Sequence, residues 1–302
     1  MKKTILLSGL FVSLFISSVQ SQYNKAARQN VIQEEVSVEV YDESTESYKV
    51  VKELREVDSD VFGNAEGNQY DLAVDGAFEG QTIAVLHLYT GEGFDFRLPT
   101  EALKEKGFSV YRWLNNPPTA KALDSALAKS CQLWIISSNQ RKLSEEHAKV
   151  IKNYFDSGKG VYIWGDNQPY YADANYIADY LIGNDMQGNV MGDQTVGLLR
   201  DGSKSGIMPN HLITTGLQNI YEGITIATIS AHKDLTPIIY GSSGNLVTAA
   251  YEKDGKRLLI DGGFTRLFIK WDTAGTGRYV KNAAAWLVNY ERFGDAVLAE
   301  EK

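Results

Sequence analysis

The sequence predicts an α/β fold: a doubly wound, mostly parallel sheet with helices on both faces. Three observations carry that expectation. Near-continuous apolar runs at 82–89, 132–137, 161–164 and 257–260 read as strands covered on both faces. Amphipathic stretches of helical period lie between the first three, at the spacing of βα units. The run at 161–164 passes through a tight Gly165-Asp166-Asn167 turn into a further helical stretch, and open α/β sheets place their ligand sites at such carboxyl-edge turns.

The start of the chain is of another kind. Lys2 and Lys3 precede an apolar run at 5–16, and Val19-Gln20-Ser21 gives a small-x-small site, so residues 1–21 read as a signal peptide cleaved before Gln22. The run is shorter than the roughly 20 residues of a membrane span, and no Cys stands at the cleavage point for a lipid anchor. The expected location is therefore secreted or periplasmic, with no membrane insertion after cleavage. Loss of Lys2 and Lys3 leaves 28 basic against 38 acidic residues, a formal charge of −10. So acidic a chain, with no basic block, is not built for nucleic acid. Its single cysteine, Cys131, opens an apolar run, reads as a buried strand residue and has no intramolecular disulfide partner.

Residues 22–80 are polar and acidic, an expected N-terminal arm or linker. Alternation at 36–41 and around 48–51 predicts one hairpin, and the Asp-, Gly-, Asn- and Glu-rich stretch 58–80 a loose connection. The α/β domain should span 81–295, leaving 296–302 as a tail. Within it the pattern predicts a helix at 98–106, a strand at 108–113, and a helix at 119–129 opened by Thr119 after Pro117-Pro118. A helix capped by Ser144 should bury Val150, Ile151, Tyr154 and Phe155 and stop at Gly158. Residues 183–210, rich in Gly, Asn and Asp, read as a long surface insertion. Short strands follow at 224–229, 237–240 and 246–251, then the buried run 257–260. The last helix, 278–290, turns Val280, Ala284, Leu287 and Val288 inward.

The order of these elements, the strand and turn at 160–180, His211-Leu-Ile-Thr-Thr-Gly-Leu217, and Pro237-Ile-Ile-Tyr-Gly241 followed by Lys256-Arg-Leu-Leu-Ile-Asp261 together resemble the class I glutamine amidotransferase-like superfamily, most of all its ThuA-like branch. The resemblance covers about 81–293 and implies a flavodoxin-like sheet. Glutaminase members carry a Cys in Gly-x-Cys-x-Gly and a later His-x-Glu. Aligned on Gly165, the nucleophile position holds Asn167, and Asp261-Gly262-Gly263 stands where the second motif belongs. Without thiolate or base, the resemblance implies a protein that is not a glutaminase. It also implies a positive φ at Asn167, which Asn tolerates.

Asp166 and Asp261 are the candidate catalytic carboxylates, each closing a strand at the carboxyl edge, where a pair can divide acid and base roles. Helix capping and an ordinary Asp-Gly-Gly turn are their structural alternatives. Asn167, Tyr170, Tyr171 and Glu92 are candidate ligand contacts on the same edge, and His211 is either a ligand group or a cap. Arg266, Trp271 and Asp272 flank a Thr273-Ala-Gly-Thr-Gly277 loop before the last helix, where Trp271 and Asp272 suit a sugar ring and the glycines suit an anion. The four histidines have no zinc-ligand spacing, and the sequence names no cofactor, leaving open a divalent metal at Asp166. Three functions remain open: binding of a small polar ligand such as a carbohydrate, an enzyme acting on a sugar or glycoside through Asp166 and Asp261 with or without a divalent metal, or a structural or interaction module.

Overall fold

The computed structural model describes residues 33–271 and 274–298; the expected signal peptide and Asp272 lie outside them. In chain order the strands are β1 (Gln33–Asp42), β2 (Ser47–Glu56), β3 (Thr82–His87), β4 (Ser109–Leu114), β5 (Gln132–Ile136), β6 (Gly160–Trp164), β7 (Met186–Met191), β8 (Thr195–Gly197), β9 (Gly206–Ile207), β10 (Asn219–Tyr221), β11 (Thr225–Ile229), β12 (Leu235–Tyr240), β13 (Leu246–Lys253) and β14 (Lys256–Asp261). The α-helices are α1 (Arg97–Glu105), α2 (Ala120–Leu127), α3 (Glu145–Asp156), α4 (Ala172–Ile182), α5 (Thr276–Leu287) and the short α6 (Tyr290–Phe293).

Eight strands form one sheet in the order β4-β3-β5-β6-β14-β13-β12-β9. From β4 to β14 neighbours run parallel; β13, β12 and β9 extend the sheet antiparallel. Strand order reverses at β3, whose neighbours β4 and β5 both follow it in sequence, the mark of a doubly wound sheet. Side chains alternate between two cores as the strand period requires. Ile83, Val85, Trp134, Tyr162 and Leu259 pack against α1 and α5. Ala84, Leu86, Leu133, Val161 and Ile260 pack against α2, α3 and α4. The caps follow from sequence: Thr119 Oγ1 accepts from Ala122 N at 3.3 Å, and Ser144 with His147 forms a capping box on α3.

Two expectations need correction. Residues 183–210 are not a bare insertion, because β7 pairs with β11, β8 with β10, and β9 adds the last strand of the main sheet. The stretch before residue 81 is not all loose either. The hairpin of β1 and β2 is present, with no buried residue in either strand, but from Tyr70 onward the chain is packed. Leu72, Ala73 and Phe78 are buried in the α1/α5 core, and Phe78 stacks on Phe108 at 4.6 Å. Asp71 is buried and ion-paired to Lys106, Arg278 and Lys281 at 2.7–2.9 Å. Gly107 allows this approach: it has φ of 93°, and a Cβ there would stand 2.5 Å from the Glu79 nitrogen.

Phe78→Ala should therefore lower unfolding free energy in urea by about 3–5 kcal/mol, while Val61→Ala, at a residue 92% exposed, should change it by less than about 0.5 kcal/mol. A Phe78→Ala cost no larger than that of Val61→Ala would contradict the packing.

Candidate functional site

The carboxyl ends of β6 and β14 are joined by a short ladder. Gly165 N donates to Asp261 O at 2.8 Å, and Phe264 N donates to Gly165 O at 3.0 Å. Thr265 N then donates to Asp166 Oδ2 at 3.1 Å, while Asn167 N donates to Asp166 Oδ1 at 2.9 Å. Gly165 is required by contact, since a Cβ would lie 2.7 Å from Met186 Sδ and 3.1 Å from Tyr171 Cβ. Neither Gly165 nor Asn167 has a positive φ, so the implied nucleophile-elbow conformation is absent. The chain turns at Asn167–Tyr170 instead, through a cis Gln168–Pro169 bond and a Tyr170 N to Asn167 O hydrogen bond of 2.8 Å.

Above this ladder lies a cavity of about 340 Å³. Asp166, Thr265, Glu92 and Asn167 line it, together with the rings of Tyr89, Tyr170, Phe264 and Phe268. Tyr89 stacks on Phe264 and meets Tyr170 edge-on, both at 5.1 Å between ring centroids. Burial pushes the Asp166 carboxyl well above its ordinary range, against the pull of the Asn167 and Thr265 amides and of Arg266. Burial also raises the Tyr89 phenol to about 12, helped by Glu92, Tyr170 and Asp166, so it stays a neutral donor. The cavity thus offers a buried carboxyl with a raised pKa, a second carboxyl on Glu92, and phenol hydroxyls beside flat apolar faces.

Asp261 does not share this cavity. It is fully buried beneath it, where Oδ1 accepts from Gly263 N at 3.0 Å and Arg266 Nη2 at 2.9 Å. Its Oδ2 accepts from Tyr279 OH at 2.7 Å, Thr248 Oγ1 at 2.9 Å and, more weakly, Tyr162 OH at 3.4 Å. With both oxygens engaged and no path to a ligand, Asp261 braces the site and does not pair with Asp166 for acid–base work. Arg266 is equally buried, donating also to Gly263 O and Glu222 O, with its guanidinium 5.5 Å from the Tyr279 ring. It too is a brace.

The remaining candidates disperse. Tyr171 packs into the α2–α4 core. His211 caps a short 3₁₀ turn through Nδ1 and lies 5.5 Å from the Trp286 ring, near Arg257 at the opposite edge of the sheet; burial lowers it to about 4, so it is neutral. Trp271 lines a separate cavity. Phe264, Thr265 and Phe268 were missed by sequence reasoning, although they flank Arg266, and Tyr89 was read only as the end of a strand. Among the described residues no three His, Cys, Asp or Glu side chains converge as a metal site, and no helix is long and apolar enough to cross a membrane.

No family model and no curated protein matches the chain. Solved structures similar to it include an exo-β-1,4-mannosidase, Op5Man5, from Opitutaceae bacterium strain TAV5, with 10% identity, a TM-score of 0.38, and 74% of this chain aligned to 37% of that one. A ThuA-like protein from Parabacteroides merdae ATCC 43184 shares 11% identity at a TM-score of 0.43, covering 74% of this chain and 93% of the other. The glutaminase domain of Trypanosoma brucei CTPS shares 9% at 0.35, covering 68% and 94%. The chain spans little more than a third of the mannosidase's length. Likenesses this distant carry no functional weight, and the fold assignment rests on the strand order itself.

Removing one partner of the buried pair leaves a charge unmatched. Arg266→Met should cost about 3–5 kcal/mol in chemical denaturation. The double variant Arg266→Met/Asp261→Asn should recover part of that loss; strict additivity of the two single costs would contradict the pairing.

Proposed function

We propose that the carboxyl-edge cavity binds a small, hydroxyl-rich ligand of carbohydrate type, and that the protein does so outside the cytoplasm without glutaminase chemistry. One observation carries the proposal: two carboxyl groups, Asp166 and Glu92, share one cavity with the rings of Tyr89, Tyr170, Phe264 and Phe268. A sugar ring has an apolar C–H face and an equatorial rim of hydroxyls. Aromatic walls suit the face, and carboxyl oxygens and phenol hydroxyls suit the rim. The volume lies at the small end of ligand cavities, roughly 300–1,000 Å³, which favours a monosaccharide or disaccharide. The location outside the cytoplasm rests on the leader-like residues 1–21. Glutaminase chemistry is left out because Asn167 offers no thiol.

A second function, hydrolysis of a glycoside, is favoured by the state of Asp166. A carboxyl whose proton is held more tightly than usual, as burial holds that of Asp166, can act as a general acid, with Glu92 as the second carboxyl group. Asp261 is not available for that part.

Calorimetric titration with a panel of monosaccharides and disaccharides tests binding. At least one should bind, and Tyr170→Ala and Glu92→Gln should each weaken it about tenfold, the equivalent of about 1.4 kcal/mol. Release of an aryl leaving group that is lost in Asp166→Asn would establish the hydrolytic function. A panel in which no saccharide binds would overturn the proposal.

A further inference from the structure

A second cavity, of about 310 Å³, opens at the N-terminus of α5 and shares no lining residue with the first. Gly275 precedes the helix with φ of 65°, and a Cβ there would meet Asn219 O at 2.6 Å. Asn64 is 1% exposed. Its Oδ1 is fixed by the amides of Gln218 and Asn219, at 2.7 and 2.9 Å, which turns Nδ2 toward the helix end, 3.1 Å from the position of a Gly275 Cβ. Among the described residues that Nδ2 has no hydrogen-bond partner, and neither does Oγ1 of the fully buried Thr276. Two enclosed side-chain donors thus stand unmatched beside the first turn of a 12-residue helix, whose leading N–H groups also lack intrahelical acceptors. A buried donor without an acceptor is costly, and here several converge at the positive end of a helix dipole.

We propose that this cavity binds a small oxyanion, the carboxylate or phosphate group of a ligand, held by Asn64 Nδ2, Thr276 Oγ1 and the first N–H groups of α5. The surrounding side-chain charges supply no net attraction, so recognition rests on these unmatched donors. Arg278 and Lys281 line the cavity, and with Lys106 they surround the single carboxylate of Asp71. Asp75, paired to Lys106, and Glu105, paired to Lys281, balance that surplus. Asp60, also in the lining, turns its Oδ1 back to the amides of Phe62 and Asn64, each at 2.9 Å, and Glu66 is exposed at the mouth. These acids disfavour a polyanion and leave room for one compact group. The Trp271 ring closes the wall beside Gly277, where a Cβ would lie 3.6 Å from it.

Titration of the whole protein with inorganic phosphate and with acetate, at constant ionic strength, tests the site by calorimetry and thermal shift. At least one should bind the wild type and raise its Tm; which one does so separates a phosphate from a carboxylate ligand. Asn64→Asp keeps the acceptor for Gln218 and Asn219 but removes the donor and adds a repelling charge. Thr276→Val removes only the hydroxyl. Each should weaken binding about tenfold or more, with Asp166→Asn unchanged, so that failure here is distinct from failure of the saccharide site. If neither anion binds the wild type, or if both variants bind as the wild type does, the proposal is overturned.

Discussion

The buried ion pair between Asp261 and Arg266 is the constraint on which the carboxyl edge depends. A buried pair of this kind adds little net stability over an apolar replacement, because desolvating two charges offsets their attraction. It does fix geometry. Asp261 ends β14 with both oxygens accepting hydrogen bonds, and Arg266 returns five residues later to close the turn on it. The turn so held carries Phe264 and Thr265 to their positions, and their amides reach the elbow after β6. The aromatic and the polar parts of the cavity lining are therefore two consequences of one closed turn.

That closure also decides what the elbow can do. In a glutaminase-like elbow the functional side chain is thrust upward by a positive φ. Here the turn at Asn167–Tyr170 bends at negative φ through Pro169, and the acidic residue that the elbow leaves lining the cavity is Asp166. Its carboxyl is taken out of water and given two amide donors, yet burial prevails and favours the protonated form. A side chain so placed suits hydrogen bonding to a ligand, the part proposed for it above.

Much of this was legible in the sequence, and the reasons are physical. Strands buried on both faces must be apolar throughout, which is why the runs at 82–89, 132–137 and 161–164 announced a parallel sheet. Asp166, Asn167, Tyr170 and Glu92 could be grouped from sequence, and line one cavity, because residues just past such strands share one edge. β7 and β8 stayed hidden because β7 carries Gln187, Gly188 and Asn189 at its exposed centre and β8 is only three residues long, too short for a period to show. The packing of Tyr70 to Phe78 was obscured by acidic neighbours: Asp71 is neutralised by Lys106, Arg278 and Lys281, residues up to 210 positions away. Nor does local sequence state which edge a residue joins, so His211 was grouped with a site on the far side of the sheet. Asp261 was placed on the correct edge but at the wrong depth, since nothing nearby announces Tyr162, Thr248 and Tyr279 as its partners.

The most direct measurement is a ¹³C NMR titration of the Asp166 carboxyl carbon in the wild-type protein. If the closed turn encloses this side chain as described, its midpoint will lie well above the value of about 3.9 for an exposed aspartate. A midpoint at or below that value would mean that the carboxyl is solvated or dominated by its donors, and would contradict the account of the site.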